Sequence, residues 1–215
     1  MAARKLSEDF ILALQSVFGW LSAEGVPGSC IGGVAVSLIA QPRTTQDIDL
    51  VIWLDEKRWE SFVETGERHD ITPRITDAVD FARQVRVLLL RHDSTGINLD
   101  ISLGALEFER ELIERAVTLK MGDLTITVPT PEDLIITKAV AQRPKDLADI
   151  DAIVSVTPHL DTQRIRHWVG QFAETLEMPE IVDSVEKVLR YYSTAGNESP
   201  SRVPPRSQSK RKKDK

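Results

Sequence analysis

Cysteine is almost absent from this chain, aromatic residues are few, and no long apolar run occurs. Among 215 residues there is one cysteine, Cys30, so no internal disulfide can form and a reducing compartment is the expected setting. No stretch approaches the roughly 18 apolar residues that a membrane span needs, so cytoplasm is the expected location and no membrane partner is expected. A cleavable leader is not expected either. The basic start "MAARKLSEDF" runs into "ILALQSVFGWL", which Gln15, Ser16 and Gly19 interrupt and no small-residue cleavage site follows. The histidines His69, His92, His159 and His167 lack metal-like spacing and receive no role. Trp20, Trp53, Trp59 and Trp168 read as core residues rather than stacking platforms for bases.

What is present is ordinary for a soluble globular protein, with 41% hydrophobic and 28% charged residues. The net charge of -6 is unevenly spread. Residues 193–215 carry seven Lys/Arg against Glu198 and Asp214, a net of +5, which leaves -11 on the rest. This tail is rich in Ser and Pro, and disorder is expected for it. It suits either a solubilising end or a grip on phosphate backbones.

Hydrophobic periodicity divides the remainder. Phe10, Ile11, Leu14, Val17, Phe18 and Leu21 recur at three and four, which predicts a helix with Ser7 as N-cap and Gly25 as stop. "GSCIGG" reads as a short strand ending in paired glycines, "VAVSLIA" as a short helix, and "DIDLVIWL" as a strand. "EKRWESFVETGER" looks helical, and residues 71–83 are ambiguous. "QVRVLLLRH" and "GINLDISLG" are further strands, followed by a helix over 105–114 and a hairpin turning at Gly122. From Thr130 onward the pattern is helical, with Thr130 as N-cap and Pro131 at the first helical position. The expected class is α+β: a mixed sheet flanked by helices over 1–128, a helical segment over 129–192 packed on it, and the basic tail over 193–215.

Strands avoid aspartate, yet Asp47 and Asp49 stand at the start of an apolar strand. Alternate strand residues share a face, so these two point together while Ile48, Leu50, Ile52 and Leu54 face a core. "INLDISL" repeats the device, with Asn98, Asp100 and Ser102 opposite Ile97, Leu99, Ile101 and Leu103. If the strands are neighbours, three carboxylates converge. Such a cluster repels itself, and a divalent cation removes the problem. Carboxylate oxygens suit Mg²⁺, which is commonly held by a few carboxylates together with substrate phosphates. The bland alternative is a half-exposed strand face with incidental acids.

Residues upstream favour the metal. Gly32 and Gly33 join a strand to a helix N-terminus, where free N–H groups can meet a phosphate. Arg43 and Thr45 lie just before the aspartates, and an arginine can bind a triphosphate with paired hydrogen bonds. A phosphate cradle beside a metal site is the working part of a nucleotide-transferring enzyme.

The stretch "GGVAVSLIAQPRTTQDIDLVI" resembles the core motif of the DNA polymerase beta-like nucleotidyltransferases: paired glycines, Asp-x-Asp, and a third Asp on a later strand. Its spelling, with "TPEDLIITKAVAQRPKDLADI" further on, is most similar to the abortive-infection toxin (AbiEii-like) branch, over about residues 28–153. The resemblance implies a nucleotidyltransferase fold and Mg²⁺-dependent transfer of NMP from an NTP, with ATP among the candidates. In toxin relatives the acceptor can be the 3′ end of tRNA, and an antitoxin protein can be a partner. It further implies that Gly32 and Gly33 hold phosphates with Arg43 and Thr45 assisting, and that Asp47 and Asp49 bind metal. Asp100 would complete the site and take the proton from the attacking hydroxyl. Lys138 would neutralise triphosphate charge, with Asp146 as a nearby functional acid. One departure is Gly33, where many relatives carry a serine.

Alternatives stay open for several of these residues. Lys138 also fits a solvated helix face, and Asp146 and Asp149 fit ordinary surface pairs with Lys145 or Arg143. Cys30 reads as buried rather than reactive. Two other functions compete with RNA modification: adenylylation of a small molecule such as an antibiotic, and a non-catalytic nucleotide- or partner-binding module.

Overall fold

A computed structural model describes residues 7–42 and 45–195, with the side chains of 193–195 outside the description. The expected disordered tail, apart from its first residues, and Arg43 lie outside the described residues. The elements run in the order α1 (Glu8–Ala23), β1 (Gly28–Ile31), α2 (Gly32–Ile39), β2 (Asp47–Ile52), α3 (Trp59–Gly66), β3 (Ile71–Pro73), α4 (Ala78–Val85), β4 (Val87–His92), β5 (Ile97–Leu103), α5 (Glu107–Arg115), β6 (Val117–Met121), β7 (Leu124–Val128), α6 (Pro131–Ala141), α7 (Pro144–Val156), α8 (Thr162–Thr175) and α9 (Glu180–Ala195). The ambiguous region 71–83 resolves into the three-residue β3 and the start of the short α4.

Local chemistry explains the clearest boundaries. The Ser7 hydroxyl accepts from the Phe10 N–H at the start of α1, and Gly25 beyond its end has φ +61. The Thr130 hydroxyl accepts from the Asp133 N–H, with Pro131 opening α6.

Five strands form a mixed sheet in the order β1-β2-β5-β4-β3. Only β2 and β5 run parallel; the other neighbours are antiparallel. One face carries Leu50, Ile52, Leu88, Leu90, Leu99 and Ile101, all buried in a core with Phe10, Leu14 and Trp20 of α1 and Phe62 of α3. Trp20 stacks on Phe62 with ring centroids 3.9 Å apart. Burying these apolar side chains is the main stabilising term, about 1.5–3 kcal/mol for each large one.

The opposite face is only partly covered. Val51 joins a second core with Val36 of α2, Phe108 of α5, Ile135 of α6 and Ile153 of α7. The helical segment therefore packs over one end of this face, and the acidic strand residues lie beside its edge. Trp20 and Trp59 are core residues as expected, whereas Trp53 is 36% exposed just beyond the end of β2. No described helix is long and apolar enough to cross a membrane.

Candidate active site

The parallel pairing of β2 with β5 sets Asp47 opposite Asn98 and Asp49 opposite Asp100. All four share the partly open face, because Ile48 and Leu99 between them are fully buried on the other. Asp47 accepts a hydrogen bond from Asn98 Nδ2 at 3.1 Å. The Thr45 hydroxyl donates to the Asp47 carbonyl at 3.0 Å, fixing the turn into β2.

Asp49 lies deeper. Across β1 its register partner is Ile31, and the chain then turns at Gly32 with φ +63 into α2. The Asp49 carboxylate packs against this glycine. A Cβ at position 32 would lie 2.6 Å from Asp49 Cγ and 2.8 Å from its Cβ, so no other residue fits there without displacing the acid. The Gly33 N–H donates to the same carboxylate. Burial pushes the Asp49 carboxyl above its usual range, and the Asp100 charge adds to this. The Gly33 N–H and the charges of Lys138 and Arg143 oppose the rise. In this structure the helix end expected to hold phosphates is thus in contact with Asp49.

Lys138 and its partners require a correction. The solvated-face reading of Lys138 fails, since it is 2% exposed. Its ammonium sits 3.1 Å from Asp146 and 2.9 Å from Asp149. The surface-pair reading of those two acids fails with it, because both are buried. Asp146 also accepts from the Arg143 backbone N–H at 3.0 Å and from its Nε at 2.8 Å, which ties the start of α7 to the end of α6. Burial works against the Asp146 charge, but hydrogen bonds from Arg143 and Lys138 outweigh it and hold this carboxyl below its usual range.

Two arginines that sequence reasoning left out of the site belong to it. Arg143 extends its charge towards Asp49, and its signal was available in the segment "RPKD". Arg74, from the ambiguous region, forms an ion pair with Asp100 through Nη2. Nothing in the local pattern around Arg74 marked it out.

The donor set is hard oxygen, which matches a divalent cation such as Mg²⁺. Among the described residues no three acidic, histidine or cysteine side chains stand as a ready-made cluster. Instead, the guanidinium of Arg74 occupies Asp100 and the amide of Asn98 occupies Asp47. Arg74 supplies positive charge to Asp100, and the Asp100 charge beside it adds to the burial that raises the Asp49 carboxyl. The oxygen chemistry of Asp47, Asp49 and Asp100 fits an ion that takes its remaining ligands from substrate phosphates and water.

The mixed sheet carrying paired carboxylates beside a glycine turn matches the nucleotidyltransferase fold that the sequence resemblance implies. The chain belongs to the family described as "Nucleotidyl transferase of unknown function (DUF2204)", which it matches over residues 11–187. An antigenic nucleotidyltransferase-like protein from Paracoccidioides brasiliensis has a similar structure, with a TM-score of 0.51 and 17% identity over 84% of this chain and 94% of that one. The lincomycin-bound lincosamide antibiotic adenylyltransferase LnuA aligns with a TM-score of 0.48 and 15% identity, over 72% of this chain and all (100%) of that one. No curated protein matches the sequence.

Proposed function

We propose that this protein transfers a nucleoside monophosphate from an NTP to a hydroxyl of RNA, with the 3′ end of tRNA as the foremost acceptor. The observation that carries the transferase chemistry is the register of Asp49 with Asp100 beside the Gly32 turn. In the reaction the acceptor oxygen bonds to the α-phosphorus, and the bond from that phosphorus to the oxygen leading to the β-phosphate breaks. Pyrophosphate leaves with the electron pair, and the hydroxyl proton passes to Asp100.

Asp47, Asp49 and Asp100 are the residues that would hold Mg²⁺. When bound, the ion supplies charge stabilisation at the attacking and leaving oxygens. Gly32 and Gly33 present the helix N-terminus to the phosphates, with Arg43 and Thr45 assisting. Lys138 contributes positive charge from its buried position, and Asp146 holds that charge in place. ATP is a natural first NTP to try.

RNA as acceptor rests on the resemblance of the "TTQDIDL" and "RPKDLADI" segments to the abortive-infection toxin branch. A toxin of that kind acts in the cytoplasm and is restrained by an antitoxin protein, the partner this reading assigns. The basic tail would add affinity for RNA.

The test is incubation of the full chain with each α-labelled NTP, Mg²⁺ and total cellular RNA, with an aminoglycoside or lincosamide in parallel. Label in tRNA supports the reading. Label confined to the antibiotic assigns a small-molecule acceptor, and no label with any NTP removes the transferase reading in favour of a binding module.

A further inference from the structure

The row of side chains that crosses the open sheet face contains a cation for which the proposed chemistry has no role. Arg74 follows β3, and its N–H donates to the Leu89 carbonyl at 2.9 Å, extending the β3–β4 ladder by one residue. Leu89 is the partner of Asp100, and Asp100 is the partner of Asp49. The row therefore reads Arg74, Leu89, Asp100, Asp49, with strands about 4.8 Å apart. An extended arginine spans the two strand spacings, and Arg74 does so, passing Leu89 to meet Asp100.

This contact is an incomplete one. Arg74 bonds Asp100 through Nη2, while its Nε is buried with no acceptor. A buried donor without a partner is costly, so the guanidinium gives up hydrogen bonding to stay on Asp100. What holds it there is charge. Asp49 and Asp100 are adjacent carboxylates on one face, and the positive charges that act on Asp49 are those of Lys138 and Arg143.

We propose that Arg74 is the resident counter-cation of the carboxylate site, holding Asp100 until a divalent cation binds and then yielding it. The inference rests on the reading that Asp49 and Asp100 bind metal. Two cations cannot share the Asp100 oxygens without repelling one another. Metal loading is therefore disfavoured while Arg74 holds Asp100 Oδ1, and the ion pair sets a threshold against loading. Arg74 directly follows the three-residue β3 and opens the bend and turn over 74–77, so a rotation of its side chain leaves the sheet intact.

The test measures metal binding rather than activity. The full chain is titrated with Mn²⁺ alone, free Mn²⁺ being followed by electron paramagnetic resonance, for wild type, Arg74→Gln, Asp49→Asn and Asp100→Asn. Arg74→Gln is expected to bind Mn²⁺ about fivefold more tightly, a size consistent with losing one half-exposed ion pair. Its melting temperature should be lower than wild type without metal and should rise more when Mn²⁺ is added. Equal or weaker Mn²⁺ binding by Arg74→Gln, with both aspartate variants impaired, overturns the proposal and leaves the metal site standing. Mn²⁺ binding unaffected by either aspartate substitution overturns the metal reading, and this proposal falls with it.

Discussion

Asp49 on β2 stands directly across from Asp100 on β5, in register on the only parallel pair of the sheet. Two carboxylates so placed repel, and the structure answers with a helix N–H on one and an arginine on the other. The Asp49 carboxyl nevertheless lies above its usual range, raised first by burial and then by the Asp100 charge.

Gly32 is the residue whose substitution reports most directly on that geometry. Gly32→Ala places a methyl group against the Asp49 carboxylate and forces an alanine to φ +63. The expected result is a loss of about 1–2 kcal/mol from the left-handed backbone alone. Nucleotide transfer should fall more steeply than stability does. Thermal unfolding and label transfer measured on the same preparation check this.

The buried pair of helices α6 and α7 gives a second prediction. Lys138→Met leaves Asp146 and Asp149 buried without the ammonium, and should cost about 3 kcal/mol. Asp146 itself carries a pH signature. Its folded carboxyl lies below the ordinary value of 3.8, so its stabilisation is present above that value and is lost as pH falls through the folded one. The stability gap between wild type and Asp146→Asn should therefore be full at pH 7 and narrow below about pH 4. Calorimetry across that range measures it.

A third prediction concerns Cys30, which is fully buried opposite Leu50. Burial pushes its thiol far above the ordinary range, and the Asp49 charge adds to this. The native protein should resist a thiol-specific reagent at pH 8, and the denatured protein should react at once with one equivalent. Rapid labelling of the native chain would show that β1 opens, and with it the Gly32 turn.

The sequence made much of this site legible, for reasons that differ residue by residue. Alternation in "DIDLVI" and "NLDISL" disclosed which faces Asp47, Asp49 and Asp100 share, because a period of two is a local property. The helix starts at Ser7 and Thr130 were equally readable, since each cap is a side chain bonding three residues ahead. Strand order is different. Nothing local says that β2 pairs with β5 across some fifty residues, and the neighbourhood of the two acids was conditional until the register was known. Arg74 was invisible because its role comes from a row across three strands, and because the segment around it has no clear period. Lys138 left two readings open, of which only the solvated one fails. A lysine on a helix is ordinarily solvated, and only the packing of α7 on α6 brings two acids to bury it.

The most direct test of the account compares wild type with Asp49→Asn in the transfer of α-labelled NMP under Mg²⁺. The amide keeps the shape of the side chain and removes its charge, so the repulsion with Asp100 is relieved. The variant should melt no lower than wild type, and its transfer should fall by about a hundredfold or more. A folded Asp49→Asn protein that transfers label as fast as wild type would contradict the account.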